Sequence, residues 1–364
     1  MRGDGAASRW RRVAVGVAAL LVGAAAVPGR AVAEPSAGPA PATPVCEVRD
    51  PRLTEISGLA ATDGGFVVVN DGADDESRRR IFFLRSDCAV LRAVPYPTRP
   101  RDTEDLAVGA DGSIWVADVG DNDRSRLTVA VWKLAPGADR PVLYRMAYPD
   151  GPHDAEAFLL TGDGRPLIVT KYSAGLYAPA TALRPGATVP LARVGQVRLP
   201  ATTTSNPFGG LGRTAVTGAA TAPDGRRVVL RTYADAFEFE VTAGDVVAAL
   251  TGGTPRITPL PDEPQGESIA YHRDGRSVLT VSETADQPPG TAPRILRYPL
   301  GGPAPATPAE PTPAPAEPTP AATATASGQR DVVAHPAAIV AAGALGVGAV
   351  VIVGLVAVRR SRRR

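Results

Sequence analysis

The chain is 364 residues long, 44% hydrophobic and 21% charged, with 39 basic residues, 37 acidic residues and three histidines. This composition excludes disorder over most of the length and leaves room for one large globular domain with attachments, or two small ones. Two cysteines with no CxxC or Cys/His cluster argue against zinc, and the scarcity of histidine argues against a Ser-His-Asp triad.

In chain order, Arg9, Arg11 and Arg12 precede VAVGVAALLVGAAAV and then Ala31-Val32-Ala33, the basic, apolar and small-residue plan of a secretory signal peptide. Residues 1–33 are read as that signal, cleaved after Ala33, with an uncleaved anchor as the alternative. Arg11-Arg12 leaves Sec and twin-arginine export both open. Residues 34–44 are a short linker. Only Lys133 and Lys171 are lysines, and the abundance of Arg, Ala, Gly and Pro fits a bacterial gene with GC-rich codons. Cys46 and Cys88 fall in the exported part, where an even count favours a disulfide between them.

From residue 45 an internal repeat sets in. Asp63-Gly64, Asp111-Gly112, Asp163-Gly164, Asp224-Gly225 and Asp274-Gly275 recur at about 50-residue intervals, the scale of a propeller blade. Each pair follows a short segment (ISGLAAT, EDLAVGA, EAFLLTG, VTGAATAP, ESIAYHR) and precedes an apolar run (FVVV, IWVA, PLIV, VVL, VLTV). Asp-Gly suits the positive φ angles of tight hairpin turns. The apolar runs are continuous rather than alternating, which predicts strands buried on both faces, as in stacked blades. The predicted fold is all-β, a β-propeller over residues 45–301 with five blades, or six if the long interval between 163 and 224 hides a degenerate one. RRIFFL and AVLRAV, TVAVWKL and VLYRMAY, GLYAP and LARVGQV, and AFEFEV and RITPL supply third and fourth strands. The last unit has only RILRYPL, so the N-terminal VCEVR is expected to complete it, and a Cys46–Cys88 disulfide would lock that seam from outer strand to outer strand.

A hairpin brings its two ends together opposite its turn, so the polar residues flanking all the hairpins converge on one face of the ring. They are Glu55, Ser57, Asn70 and Asp71; Asp102, Glu104, Asp118, Asp121 and Asn122; His153, Asp154, Glu156 and Lys171; Thr217, Arg231, Tyr233 and Asp235; and Gln265, Glu267, Ser282 and Glu283. Glu104, Glu156 and Glu267 align and are expected near the axis. Carboxylates held close raise one another's pKa or demand a cation, and an oxygen-only set suits Ca²⁺ or Mg²⁺.

Past the propeller, residues 302–331 form a Pro/Ala/Thr-rich stalk with no means of burying a core. Residues 332–358 are read as a transmembrane helix, since Ala337 to Val358 is uncharged and long enough to cross about 30 Å of hydrocarbon. The tail 359–364, RRSRRR, is fixed in the cytoplasm by the positive-inside rule, which makes the chain a single-pass protein of the cell membrane with its propeller outside. With the arginines of both termini set aside, the part outside the cell is acidic, which argues against nucleic acid as a partner.

The stretches GLAATDGGFVVVNDG, DTEDLAVGADGSIWVADVGDN, GPHDAEAFLLTGDGRPLIVTK and QGESIAYHRDGRSVLTVSE resemble the secreted propellers grouped as "esterase-like activity of phytase", distant relatives of calcium-dependent β-propeller phytases. The resemblance covers about residues 45–300. It implies Ca²⁺ as cofactor, a metal set of Glu104, Asp118, Asp121, Glu156 and Glu267, and substrate contacts from Lys171, Arg231 and Tyr233, with His153 beside them at the rim. Two readings of function are open. One is a surface module that binds a small molecule or cell-envelope ligand through a cation site on the central face. The other is a Ca²⁺-dependent hydrolase of phosphate or carboxylic esters, in which a metal-activated water attacks.

Overall fold

In a computed structural model the described residues are 41–300. The expected signal peptide, the stalk, the transmembrane segment and the basic tail lie outside them. Among the described residues no helix is long and apolar enough to cross a membrane.

The first hairpin is β2 (Ile56–Thr62) and β3 (Gly65–Asn70), followed by β4 (Arg80–Arg85) and β5 (Val90–Pro95) in one antiparallel sheet. The next unit, β6 (Thr103–Val108), β7 (Ile114–Asp118), β8 (Val129–Leu134) and β9 (Val142–Ala147), shares an eight-stranded sheet with β10 (Ala155–Leu160), β11 (Pro166–Thr170), β12 (Gly175–Pro179) and β13 (Thr188–Gln196). The two halves are hydrogen-bonded to each other through a short parallel pairing of β13 with β9, Thr188–Pro190 against Arg145–Ala147. A further sheet holds β14 (Val216–Thr221), β15 (Arg227–Thr232), β16 (Asp235–Glu240) and β17 (Arg256–Pro259). The last consists of β18 (Gly266–Tyr271), β19 (Ser277–Ser282), β20 (Arg294–Pro299) and, on its outer edge, β1 (Thr43–Glu47). Short helices α1 (Gly209–Gly212) and α2 (Val246–Gly252) lie in connections.

The innermost strands form a closed circuit: β2 lies against β6, β6 against β10, β10 against β14, β14 against β18, and β18 against β2. Sheets arranged radially around such a circuit make a propeller. Each apolar cluster is shared between two neighbouring four-stranded units. Val67, Val69 and Ile81 of the first sheet interleave with Leu106, Val116 and Trp132 of the second, and the last sheet closes on the first through Leu279, Ile295, Leu59 and Phe82. That is why the second strand of each hairpin is an unbroken apolar run rather than an alternating one.

β1 pairs with β20 as the closing strand, and Cys46 is bonded to Cys88 across the seam with the Cα atoms 5.8 Å apart. Cys88 is not on an outer strand, as the sequence led us to expect. It sits in the β4–β5 turn with φ 66°, just before the outer strand begins. The long interval in which a degenerate unit was an alternative contains irregular chain and α1, with no further sheet among the described residues.

Candidate functional site

Every innermost strand carries a β-bulge at its first turn toward the axis. Pairing slips between Ile56 and Gly58, Thr103 and Asp105, Ala155 and Ala157, Val216 and Gly218, and Gly266 and Ser268. The extra residue in each case is Ser57, Glu104, Glu156, Thr217 or Glu267. A bulge frees one residue from the ladder and re-aims its side chain. These five therefore converge around the axis at one end of the ring, forming a cup.

The next residue in each strand is Gly58, Asp105, Ala157, Gly218 or Ser268. Four small residues leave the axis to one carboxyl group. Asp105 is wholly buried, and its Oδ2 accepts N–H bonds from Phe158 on β10 (2.9 Å) and Ala219 on β14 (3.1 Å), tying three inner strands together. Burial raises its pKa well above the usual carboxylate range, against the pull of those N–H donors. Sequence reasoning passed over Asp105, although an acid among small residues at one repeat position was the available signal.

The walls of the cup are acidic. Asp71, Asp102 and Glu104 place one carboxylate oxygen each within 4.8 Å of one another. Glycine makes this approach possible: a Cβ on Gly72 would run into the Asp102 carboxylate, and one on Gly120 into those of both Glu104 and Asp102. Ser57 Oγ donates to the Glu104 backbone carbonyl (2.5 Å) and reaches its Oε2 (3.2 Å). On the far side Glu156 is ion-paired with Lys171, while Glu267 accepts from Tyr233 (3.1 Å) and Gln265 (3.1 Å). Gln265 also bonds Glu283 at 2.7 Å. Glu156 Oε2 and Glu267 Oε2 are buried with no hydrogen-bond partner.

Electrostatics follow from this crowding. Glu104, buried and flanked by Asp71, Asp102, Glu156 and Glu267, has its pKa driven well up. Burial and Glu267 raise Glu156, and burial followed by Glu267 and Asp71 raises Glu283. Asp102 is pushed up to about 8, first by burial and then by Asp71. Glu267 is also raised by burial, with Lys171 opposing. Burial works against the Lys171 charge, but Glu156, Tyr233 and Glu267 outweigh it and raise the ammonium pKa. Carboxylates so placed either hold protons or share a cation, and two orphaned buried oxygens beside an all-oxygen donor set fit a hard divalent ion.

The structure thus brings together Glu104, Glu156, Glu267, Lys171 and Tyr233. It does not bring Asp118, Asp121, Arg231 or His153 to the cup. Asp118 accepts the N–H groups of Arg101 (3.1 Å) and Asp102 (3.0 Å), the indole of Trp132 (3.2 Å) and the guanidinium of Arg126 (2.9 Å), so its oxygens are committed behind the rim. Asp121 accepts from the backbone of Ser125 and Arg126, both at 2.9 Å, and so shapes its own loop. Arg231 is fully buried between the last two sheets, paired with Glu263 at 2.5 Å and donating to the Ser268 carbonyl at 2.7 Å. His153 sits 3.0 Å from both Asp150 and the Tyr177 hydroxyl, packed by Tyr148 on the side of the third unit. In their place stand Asp71, Asp102 and Glu283, rim residues by the hairpin argument but outside the metal set read from sequence.

No protein-family model and no curated protein matches the sequence. Among solved structures, the chain is similar to a gluconolactonase from Xanthomonas campestris, at 15% identity over 67% of this chain and 72% of that one, with a TM-score of 0.39. It is also similar to the PQQ-bound aldose sugar dehydrogenase of Streptomyces coelicolor (12% identity, 72% and 99% covered, TM-score 0.38). A third is the virginiamycin B lyase of Staphylococcus aureus (11% identity, 68% and 67% covered, TM-score 0.35). At these values the likeness carries no argument about chemistry.

Proposed function

We propose that this chain is a five-bladed, phytase-like propeller, held outside the cell by a C-terminal membrane anchor, whose central cup binds a divalent cation of the Ca²⁺ class and, through it, an anionic ligand. The observation that carries the reading is the cup itself: Asp71, Asp102 and Glu104 gather on one side, Glu156 and Glu267 flank the Lys171 ammonium on the other with Glu283 beside them, and two buried carboxylate oxygens are left without partners. The closed circuit of inner strands supports five blades. The quoted motifs support the phytase-like kinship. The apolar segment with its arginine tail supports the anchor, the stalk and the location at the cell surface.

Asp71, Asp102 and Glu104 are the residues that would hold the ion, with Glu156 and Glu267 facing it across the cup. Lys171 and Tyr233 would meet the ligand's anionic group. The same pair favours the second reading, an ester hydrolase. A cation beside them supplies an activated water and neutralises charge on the substrate oxygens, so no side-chain nucleophile is needed.

The deciding experiment is a calorimetric Ca²⁺ titration of metal-stripped protein beside Glu104→Gln and Glu156→Gln. Binding in the micromolar range, weakened at least about tenfold by Glu104→Gln, is expected. No heat of binding in the parent would leave the cup a protonated acid cluster and end the proposal. Turnover of 4-nitrophenyl phosphate or 4-nitrophenyl acetate that Glu104→Gln abolishes would select the hydrolase reading; Ca²⁺ binding without turnover selects the binding module.

A further inference from the structure

The lip of the cup on the Lys171 side is apolar and exposed. Tyr172, Phe208 and Leu211 are 46%, 42% and 53% accessible, whereas the polar groups beneath them, Lys171 and Tyr233, are 8% and 7%. This reverses the usual layering of a surface site, in which apolar atoms lie inside and polar atoms face water.

The pieces are joined. Lys171 Nζ lies 5.8 Å from the Tyr172 ring and 5.7 Å from the Tyr233 ring, so aromatic faces bracket the ammonium. Phe208 extends the arc, its ring 4.4 Å from that of Tyr233. Leu211 sits on α1 one turn beyond Phe208, and the segment is anchored to the site because the Val216 N–H donates to the Lys171 carbonyl at 2.8 Å. Asn206 fixes the approach to this turn by accepting the Phe208 N–H at 2.9 Å.

Resting on the cation reading above, we infer that the ligand is an organic anion with an aryl or other apolar body. Its charged end enters the cup beside Lys171 and the cation, and its apolar part covers Tyr172, Phe208 and Leu211. Charge complementarity favours this orientation, since Lys171 is the cup's one ammonium and lies beside the Tyr172 and Tyr233 rings, with the Arg124 guanidinium 5.9 Å from Tyr172 as a second cation at the edge of the lip. A densely charged, wholly hydrophilic ligand would leave these three side chains in water and gain nothing from them. An aryl or alkyl group removes apolar area from water on both partners.

The test compares paired probes on the purified full-length chain with excess Ca²⁺: phenylphosphonate against methylphosphonate, and phenylacetate against acetate. At least one aryl member should bind about tenfold tighter than its methyl partner, and Phe208→Ala or Leu211→Ala should erase that preference while leaving Ca²⁺ binding unchanged. Both side chains are exposed, so the variants should fold as the parent does. Equal affinities within both pairs, or an aryl preference untouched by both substitutions, overturns the inference while Ca²⁺ binding stands. An aryl preference that persists in protein binding no Ca²⁺, and that is lost in Phe208→Ala, supports the lip and removes the cation.

Discussion

Burial and the neighbouring Asp71 push the Asp102 carboxyl up to about 8, so without a cation it keeps a proton at neutral pH that the unfolded chain, with carboxyls near about 3.9, has already released. Glu104, Glu156 and Glu283 are displaced in the same direction. The folded state therefore binds more protons than the unfolded one, and stability declines as pH rises. For Asp102 the contribution is full below about 4 and lost as pH climbs through about 8. Carboxyls displaced downward, such as Asp111 beside Ser113 and Lys133, titrate below this window and stay constant across it. In EDTA, the melting temperature followed by circular dichroism should fall between about pH 5 and pH 8, and excess Ca²⁺ should flatten the slope. A metal-free melting temperature that rises over that range would contradict the crowded cup. These acids were legible as rim residues because hairpin ends must meet. Their ranking was not, because it depends on Gly72 admitting a carboxylate from the next sheet and Gly120 admitting two from its own, a relation no repeat displays.

Among the strands, the bulge and the buried ion pair behave differently. The family resemblance implied Arg231 as a substrate contact, at a hairpin exit equivalent to that of Lys171. The structure turns its side chain between sheets into space left by Gly266, where a Cβ would collide with the guanidinium. Removing one member of a buried pair strands the other. Arg231→Met should lose about 3 to 5 kcal/mol in urea unfolding by leaving Glu263 unpaired, while Ca²⁺ affinity of the folded variant stays at the parent value. Loss of ligand binding at full stability would return Arg231 to the site. The hairpins and most outer strands could be read directly from Asp-Gly turns and apolar runs. The bulges could not, because a one-residue slip in pairing leaves no mark on composition. Nor could the share of the lip that comes from Phe208 and Leu211, which fall in the stretch before β14 where the repeat is silent.

At the scale of the whole ring, closure depends on a strand from the far end of the sequence. β1 completes the last sheet, and the Cys46–Cys88 bond, spanning 42 residues, ties it to the first. In the chain-entropy account a loop of that length contributes about 4 kcal/mol. Cys46→Ser with Cys88→Ser should lower the urea midpoint accordingly, and hydrogen exchange should quicken first at β1 and β20. Exchange unchanged at those strands would mean that packing alone holds the seam. The composition of the ring was legible because each blade repeats the same local instructions; the seam was legible because one unit lacked its last strand.

The displaced residue at the head of each inner strand has a further consequence. Ser57, Glu104, Glu156, Thr217 and Glu267 are excused from the strand ladder, so backbone pairing makes little demand on what they are, while the hydroxyls of Ser57 and Thr217 reach carbonyls of the neighbouring inner strand. They form five sockets set around a common centre, each with its own buried neighbours. Three hold acids and two hold hydroxyls in this chain, and another assortment would alter the chemistry offered at the mouth without altering the machine that presents it.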